Sequence, residues 1–397
     1  MKRILIFISI LVCLSPAIIK GQESLNNNQL TNSAQRMLEL PDRLTVGGYG
    51  QVDYVQKLEN GQFNLANLDV HRLVMLFGYK FNSRTSFITE IEYEHVKEVY
   101  IEQAFLDYKI NRFMNLRTGL VLIPMGFINE YHEPTSFNGT LRPAIDKYIV
   151  PTTWREIGIG LTGNILSAGL NYQVYILNGF NGYDGDANLG GSSGFRSGRQ
   201  KAAESFMSSP NFSAKVSYYG LPSLNIGLST YYGKSQSSLY NNLDKSDESL
   251  VATADSSVVG TLWTGLDIFY RKSGIDLRAQ LYHVNISNSD EYNQLAGSDL
   301  GSVMLGYYLE AGYNVFQEIN GIEQELKPFI RYEMLNNHHK VEENTVKNEA
   351  YNRNYIVTGL GWWMTSGAVL KADIQFSKNA AGSDWTKTLN LGMGVRF

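Results

Sequence analysis

The chain has 397 residues, of which 25 are Tyr, 18 are Phe and 37 are Gly, against only 9 Pro. This composition is typical of many strands joined by turns. The formal net charge of −4 excludes a strongly basic nucleic-acid-binding protein, so we expect no nucleic-acid partner.

The first 21 residues have the pattern of a secretory signal peptide. An apolar stretch over 4–19 follows Lys2 and Arg3, and a polar segment comes next. The only cysteine, Cys13, lies in the apolar stretch, so we expect a mature chain without disulfides. Removal of Lys2, Arg3 and Lys20 takes three positive charges from −4 and leaves a net charge of −7.

Residues 22–42 do not alternate between apolar and polar side chains. We expect them to form a mobile periplasmic N-terminal extension with one helical turn near 34–40. After the signal peptide, no stretch reaches the roughly 18 consecutive apolar residues of a transmembrane helix. The remaining residues, 43–397, are predicted to form one outer-membrane β-barrel.

From residue 43 onward, apolar and polar residues alternate with the period of a strand. In the first segment Leu44, Val46 and Val52 share one face, opposite Thr45 and Gln51. The same pattern predicts sixteen strands, near 43–54, 72–81, 87–94, 103–110, 114–124, 155–165, 168–178, 211–219, 223–233, 258–271, 274–286, 302–315, 325–335, 354–364, 367–377 and 385–397.

The connections between these strands alternate in length. Short links at 82–84, 111–113, 220–223, 272–274 and 364–367 alternate with longer, polar ones at 57–66, 124–154, 179–210, 234–257, 287–301 and 336–353. Two links depart from the rule, because 95–98 is short and 317–325 is long. Short turns at one end and long loops at the other are typical of an outer-membrane barrel. The sequence therefore predicts an all-β fold, a transmembrane antiparallel β-barrel of about sixteen strands.

The segments LRTGLVLIPMGF (116–127), TTWREIGIGLTG (152–163) and LNYQVYILNGFNG (170–182) resemble the phosphate-selective porin O and P family in motif order and spacing. The resemblance implies a sixteen-stranded homotrimeric porin of the Gram-negative outer membrane, with a loop at about 125–153 folded into the lumen. It also implies that Pro124 and Gly126 turn the chain inward, and that Arg155 and Glu156 lie where the loop rejoins the wall.

The strand alternation also predicts which charged side chains line the pore. Both signs are present, so we expect a water-filled lumen with weak ion preference. The predicted pore-lining residues are Arg72, Glu90, Glu92, Asp107, Lys109, Asp276, Arg278, Arg331, Glu333, Lys371 and Asp373.

No catalytic, metal or cofactor site is predicted. The segment HHKVEEN (338–344) reads as an exposed charged loop tip, and DGDANLGG (184–191) lacks the glutamate that closes a calcium loop, with Phe195 in its place. None of the histidines lies beside a convincing nucleophile motif, so we expect no enzymatic activity.

The sequence thus favours a porin for passive diffusion of small hydrophilic solutes or inorganic ions across a lipid bilayer. The resemblance implies that the solutes include anions such as phosphate, whereas the net charge of −7 argues against strong phosphate selectivity. The terminal Phe397 resembles the aromatic signal that the outer-membrane assembly machinery recognises in its barrel substrates. The alternative left open is a plugged outer-membrane barrel that serves as a surface binding or anchoring protein.

Overall fold

The computed structural model describes residues 30–59 and 62–397. The predicted signal peptide, 1–21, and the first part of the predicted extension, 22–29, lie outside the described residues. No helix in the described part of the chain is long and apolar enough to cross a membrane.

Sixteen long strands of the described chain form one closed antiparallel barrel. They are β1 Leu44–Glu59, β2 Asn67–Lys80, β3 Thr85–Glu94, β4 Glu98–Asn111, β5 Met114–Leu122, β6 Arg155–Ile165, β7 Leu170–Leu177, β8 Asn211–Leu221, β9 Leu224–Lys234, β10 Gly260–Lys272, β11 Ile275–Ser287, β12 Val303–Tyr313, β13 Glu325–Lys340, β14 Asn352–Thr365, β15 Ala368–Asn379 and β16 Thr386–Arg396. Each strand pairs with the next along the chain, and β1 pairs with β16. The predicted sixteen-stranded barrel is confirmed.

Closure of the barrel depends on the last strand. The register of β1 and β16 runs from Tyr49 opposite Arg396 to Leu58 opposite Lys387. Phe397 continues it, because its N–H donates to the Gly48 carbonyl at 2.9 Å and its carbonyl accepts from the Gly48 N–H at 3.0 Å. No sheet edge is left unpaired between the first and last strands, as hydrocarbon requires.

The outer face of the barrel is apolar and the inner face is polar. Exposed outer side chains come from every part of the wall, including Val46, Leu73, Leu106, Ile159, Leu228, Leu309, Ile330, Leu370 and Met393. Strand residues between them point inward, where most charged side chains are buried. This alternation is what a bilayer on one side and a polar lumen on the other demand.

Two β-bulges break the alternation in the first quarter of the barrel. In β2 the register with β1 shifts between Asp69 and Arg72, and in β4 the register with β3 shifts around Glu102. A bulge inserts one extra residue and re-aims the side chains that follow. Strict alternation from Ala104 would point Glu102 to lipid, but Glu102 is fully buried.

The described residues include five short helices outside the barrel wall: α1 Ser33–Glu39, α2 Phe127–Glu130, α3 Ile145–Tyr148, α4 Glu248–Ser256 and α5 Ser289–Ala296. Single 3-10 turns lie at Leu166–Ala168, Ser238–Tyr240 and Glu349–Tyr351. Two short strands, 181–183 and 236–237, pair in parallel among the long loops.

The N-terminal helix α1 is docked against the barrel. A capping box starts it, in which Asn32 accepts from the Gln35 N–H and Gln35 accepts from the Asn32 N–H. Ala34 and Met37 are buried, and the Tyr131 hydroxyl donates to the Leu30 carbonyl at 3.1 Å. The described part of the extension therefore contacts the loop that enters the lumen, rather than extending freely from the barrel.

Candidate pore constriction

The long connection between β5 and β6, residues 123–154, folds into the lumen; we call it the constriction loop. Gly126 adopts a φ of 82°, and a Cβ there would lie 2.5 Å from the Tyr282 hydroxyl oxygen. Only glycine fits both this left-handed backbone and this close approach. Pro124, two residues earlier, is buried at the same departure point from the wall, where the family resemblance predicted that the chain turns inward.

One side chain, Asn129, joins the two ends of the constriction loop. The Asn129 amide donates to the carbonyls of Ile123 at 2.8 Å and Trp154 at 3.0 Å, and its oxygen accepts from the Trp154 N–H at 2.7 Å. Because Ile123 and Trp154 are the two ends of the loop, Asn129 joins them. Sequence reasoning missed this residue, since Asn within a loop carries no distinguishing signal.

The returning end of the loop is fixed by the two predicted junction residues. Glu156 accepts from the Trp154 indole at 2.8 Å and from the Tyr231 hydroxyl at 3.0 Å. Arg155 donates to the Thr153 hydroxyl at 3.0 Å and lies 3.6 Å from the Glu102 carboxylate. Both side chains are buried, so they hold the loop end instead of facing open water.

Across the lumen, the constriction loop is held to β11–β16 by charged side chains that contact its backbone. Lys371 donates to the carbonyls of Pro134, Phe137 and Gly139 at 2.5–2.9 Å. Asp373 accepts from the Thr140 N–H at 2.7 Å. Hydrogen bonds to charged groups are stronger than neutral ones, so these contacts set the position of the loop.

Four more predicted pore-lining residues belong to the same anchoring wall. Glu333 accepts from the Ala144 N–H at 2.5 Å, and Arg278 donates to the Ser136 carbonyl at 2.6 Å. Arg331 lies between Glu310 and Glu333, and Asp276 pairs with Arg278 and Lys327. The structure thus places Asp276, Arg278, Arg331, Glu333, Lys371 and Asp373 on the inner face but buries them against the loop or one another.

On the opposite wall, a buried charge cluster meets His132 of the constriction loop. The His132 Nε2 lies 3.0 Å from Glu102 and 3.5 Å from Glu90, and the Tyr49 hydroxyl donates to Glu90 at 2.7 Å. Burial disfavours the imidazolium, but the carboxylates of Glu102 and Glu90 outweigh it and raise the pKa of His132 to about 9. A protonated His132 therefore fixes the loop to β3 and β4.

The remaining predicted pore-lining residues lie at two different heights. Arg72 and Glu92 form an ion pair at 3.3 Å and line a cavity on the long-loop side. Asp107 and Lys109 line a second cavity on the short-turn side, where Asp107 pairs with Arg117 at 2.9 Å. Glu90 lies in the buried cluster between them.

The long-loop cavity has a volume of about 500 Å³ and a predominantly basic lining. Its acidic lining residues are Glu92, Glu94 and Asp146, and its basic ones are Lys57, Arg72, Arg142, Lys147, Arg155, Arg196, Arg199 and Lys201. Burial raises the pKa of the Asp146 carboxyl well above its usual range, which weakens the acidic contribution further.

Several of these cations are held by carbonyl oxygens and not by carboxylates. Arg196 donates to the Thr152 carbonyl at 2.7 Å, and Arg199 donates to the Pro151 carbonyl at 3.1 Å. Burial and neighbouring positive charges lower the pKa of Arg199 to about 9 and that of Lys201 below its usual range. Among the described residues, Arg142 Nε and Arg155 Nε have no hydrogen-bond partner. Basic side chains thus outnumber acidic ones in this cavity by eight to three.

The short-turn cavity has a volume of about 870 Å³ and is also basic. Glu39 of α1 and Asp107 are its acidic lining residues, against Arg43, Lys80, Arg84, Lys109, Arg112 and Arg117. Excess positive charge thus lies on both sides of the constriction, although the whole chain is acidic. Half of these basic residues, Arg43, Arg84 and Arg112, lie outside the strands, where alternation does not predict the direction of a side chain.

No family model matches the chain. It is 27% identical over 359 residues to an uncharacterized protein of Aquifex aeolicus (strain VF5), covering 86% of this chain and 77% of that protein.

Solved porin structures share the fold. An anion-selective porin from Comamonas acidovorans matches with a TM-score of 0.57 at 12% identity, over 89% of this chain and 99% of that one. The outer membrane channel DcaP of Acinetobacter baumannii matches with a TM-score of 0.56 at 11% identity, over 89% and 97%. OmpF of Salmonella typhi, in complex with daunomycin, matches with a TM-score of 0.54 at 11% identity, over 89% and 97%.

The fold is that of Gram-negative outer-membrane porins. Together with the apolar outer face and the closed sheet, it identifies the chain as a transmembrane β-barrel with the porin fold. These comparisons indicate no enzyme family.

Proposed function

We propose that the chain is a diffusion porin that admits small hydrophilic solutes and prefers anions. The observation that carries the proposal is the excess of basic over acidic side chains in both cavities that flank the constriction loop. Charge that lines a narrow, low-dielectric passage focuses the field on mobile ions. This preference is stronger than the weak one that the mixed inner-face charges predicted.

Phosphate is a candidate solute within this class. The motif order around the constriction loop supports membership of the phosphate-selective porin O and P family, and the guanidinium groups of Arg142, Arg155, Arg196 and Arg199 suit an oxyanion. Inorganic phosphate should then reduce chloride current at millimolar concentration. Sulfate, which has the same shape, is the matched probe for a general oxyanion effect.

Assembly as a homotrimer, with Phe397 read by the outer-membrane assembly machinery, belongs to the same proposal. Phe397 is 71% exposed on the outer face, at the seam of β1 and β16, so its ring is accessible from outside the barrel. Deletion of Phe397 should lower the amount of folded barrel in the outer membrane. Phe397→Tyr, which keeps the aromatic ring, should preserve it.

A plugged barrel is the second candidate, and one feature favours it. The buried cluster of Glu90, Glu102 and His132 lies between the two cavities, and α1 contacts the constriction loop from the other side through Arg36 and Glu133. A chain plugged by these contacts would bind partners at its long loops instead of conducting.

Reconstitution in a planar lipid bilayer separates the two candidates. The porin reading predicts stepwise conductance from folded, heat-modifiable protein. Silence from wild-type protein, together with conductance after removal of α1, would instead assign a plugged barrel. Silence from both would exclude the diffusion porin.

A further inference from the structure

Three metal-ligating side chains converge at the long-loop end of β2. The Nδ1 atom of His95 lies 2.5 Å from an Asp69 carboxylate oxygen, and Nδ1 of His71 lies 3.6 Å from the same oxygen. One ligand atom from each of Asp69, His71 and His95 lies within 4.8 Å of the others. The two imidazole rings meet edge to face, with centroids 5.3 Å apart.

The backbone brings these residues together in two ways. The bulge in β2 between Asp69 and Arg72 lets His71 line the long-loop cavity. The tight turn between β3 and β4 places His95 in the left-handed region, at a φ of 54°, and its N–H donates to the His71 carbonyl at 3.2 Å. A prediction from strict alternation in β2 would not place His71 in this cavity.

The donor set selects a class of metal ion. Two imidazole nitrogens and one carboxylate oxygen suit late first-row cations such as Zn²⁺, whereas Ca²⁺ and Mg²⁺ prefer oxygen ligands alone. The three side chains are 21–40% exposed, so an ion can reach them and water can complete the coordination.

Further carboxylates support the three ligands. Asp53 lies 3.7 Å from His71 Nδ1, and Glu94 lies 3.9 Å from His95 Nε2. The negative charge of these two carboxylates favours a bound cation. The nearby Arg72 guanidinium is paired with Glu92 at 3.3 Å, which reduces its repulsion of a cation.

A second cluster of ligand type, Glu90, Glu102 and His132, lacks these properties. All three side chains are buried, and Arg155 lies 3.6 Å from Glu102. Because the pKa of His132 is raised to about 9, its imidazole holds a proton where a metal ligand must release one.

We propose that Asp69, His71 and His95 form a binding site for Zn²⁺ or a similar late first-row divalent cation at the long-loop mouth of the barrel. The site lies beside the cavity through which solutes would enter, but it does not depend on whether the barrel conducts. Its ligands come from β2 and from the turn after β3, so a bound ion would join these two elements.

Isothermal titration of the folded, detergent-solubilised chain with zinc chloride in metal-free buffer tests the site. We expect one Zn²⁺ per chain, and a loss of affinity of at least about tenfold in both His71→Asn and His95→Asn. Magnesium chloride should neither bind there nor compete. His339→Asn, at the exposed end of β13, is the matched histidine control and should bind as the wild type does.

Heat modifiability on electrophoresis and circular dichroism check that each variant is folded. His95 lies in an exposed turn, so His95→Asn keeps the test decisive if His71→Asn disturbs the bulge. Absence of Zn²⁺ binding by the wild type would overturn the proposal. So would unchanged affinity in His95→Asn, or an equal loss in His339→Asn.

Discussion

Asn129 illustrates how single side chains shape the lumen. Its amide group makes three hydrogen bonds to the two ends of the constriction loop, and it is fully buried. The Ile123 carbonyl also accepts from the Met125 N–H at 2.7 Å and the Trp154 carbonyl from the Ile123 N–H at 3.0 Å, so the buried Trp154 N–H is the group that depends most on this amide.

Asn129→Ala should therefore lower the free energy of unfolding in detergent by about 1–3 kcal/mol, because it leaves the buried Trp154 N–H without its acceptor and removes two further hydrogen bonds. Urea titration of the folded barrel measures the change. Asn82→Ala is the matched control, since Asn82 caps an exposed short turn and its loss should cost less. Equal effects of the two substitutions would contradict the role given to Asn129.

His132 makes the attachment of the constriction loop depend on pH. Its raised pKa of about 9, against an ordinary value of 6.5, means that the folded chain retains a proton that the unfolded chain releases. The resulting stabilisation is complete below about pH 6.5 and is lost as the pH rises through about 9. The facing groups are Glu102, Glu90 and Tyr49 of the wall and Arg142 of the loop.

We expect proteolysis within residues 125–153 to accelerate between about pH 8 and 10 in the wild type. His132→Gln, which cannot carry the charge, should be cleaved readily throughout this range and show a smaller pH dependence. Identical pH profiles for the two proteins would show that His132 does not set the loop's attachment.

At the same scale, the sequence predicted which charged residues point inward but not what they do there. The alternation that places Lys371 and Asp373 on the inner face is local. Their partners, Phe137 and Thr140, lie more than two hundred residues away in the chain. The inward direction of Glu102 and His71 was not predicted, for a different reason. A β-bulge moves a side chain to the other face of the sheet, and the alternation of the sequence does not reveal where a bulge lies.

At the scale of elements, the N-terminal segment acts on the constriction loop. Arg36 of α1 contacts Glu133 at 3.2 Å, and Glu133 also contacts Arg396 of the last strand at 3.2 Å. Asn32 donates to the Glu130 carbonyl at 3.0 Å. These contacts place α1 between the loop and the short-turn cavity, which Gln35, Leu38 and Glu39 help to line.

Deletion of residues 30–40 should increase the unitary conductance, because it removes α1 from the short-turn mouth of the lumen. Single-channel recording measures the change directly. Glu39→Gln, at the exposed end of the helix, should leave conductance within about 10% of the wild type, since a single rim charge has a small effect under salt screening. An unchanged conductance in the deletion would place α1 outside the conducting path.

The strands themselves were predictable because each carries its own signal. In β11, for example, buried side chains alternate with more exposed ones along the whole strand, and the sequence predicted which end of the barrel carries the long loops. The two exceptions to the length rule, at 95–97 and 314–324, persist in the structure. The loops lack such periodicity. The inward fold of the constriction loop was therefore predicted only from the family resemblance, and its contacts were not predictable.

At the scale of the whole molecule, net charge and local charge differ in sign. The predicted mature chain carries −7, yet both cavities beside the constriction loop have more basic than acidic lining residues. Mobile ions respond to the charges near them in the lumen and not to the total charge of the chain. Salt largely screens charges that lie more than about 10 Å away. The acidic composition therefore does not oppose an anion preference.

The reversal potential across a planar bilayer with about a tenfold gradient of potassium chloride tests this account most directly. We predict a sign that reports chloride as the more permeant ion. The preference should shrink when Arg142, Arg196 and Arg199 are replaced together by Gln, while Arg271→Gln at an exposed ion pair should leave it unchanged. A reversal potential of cation-selective sign in the folded wild type would contradict the account.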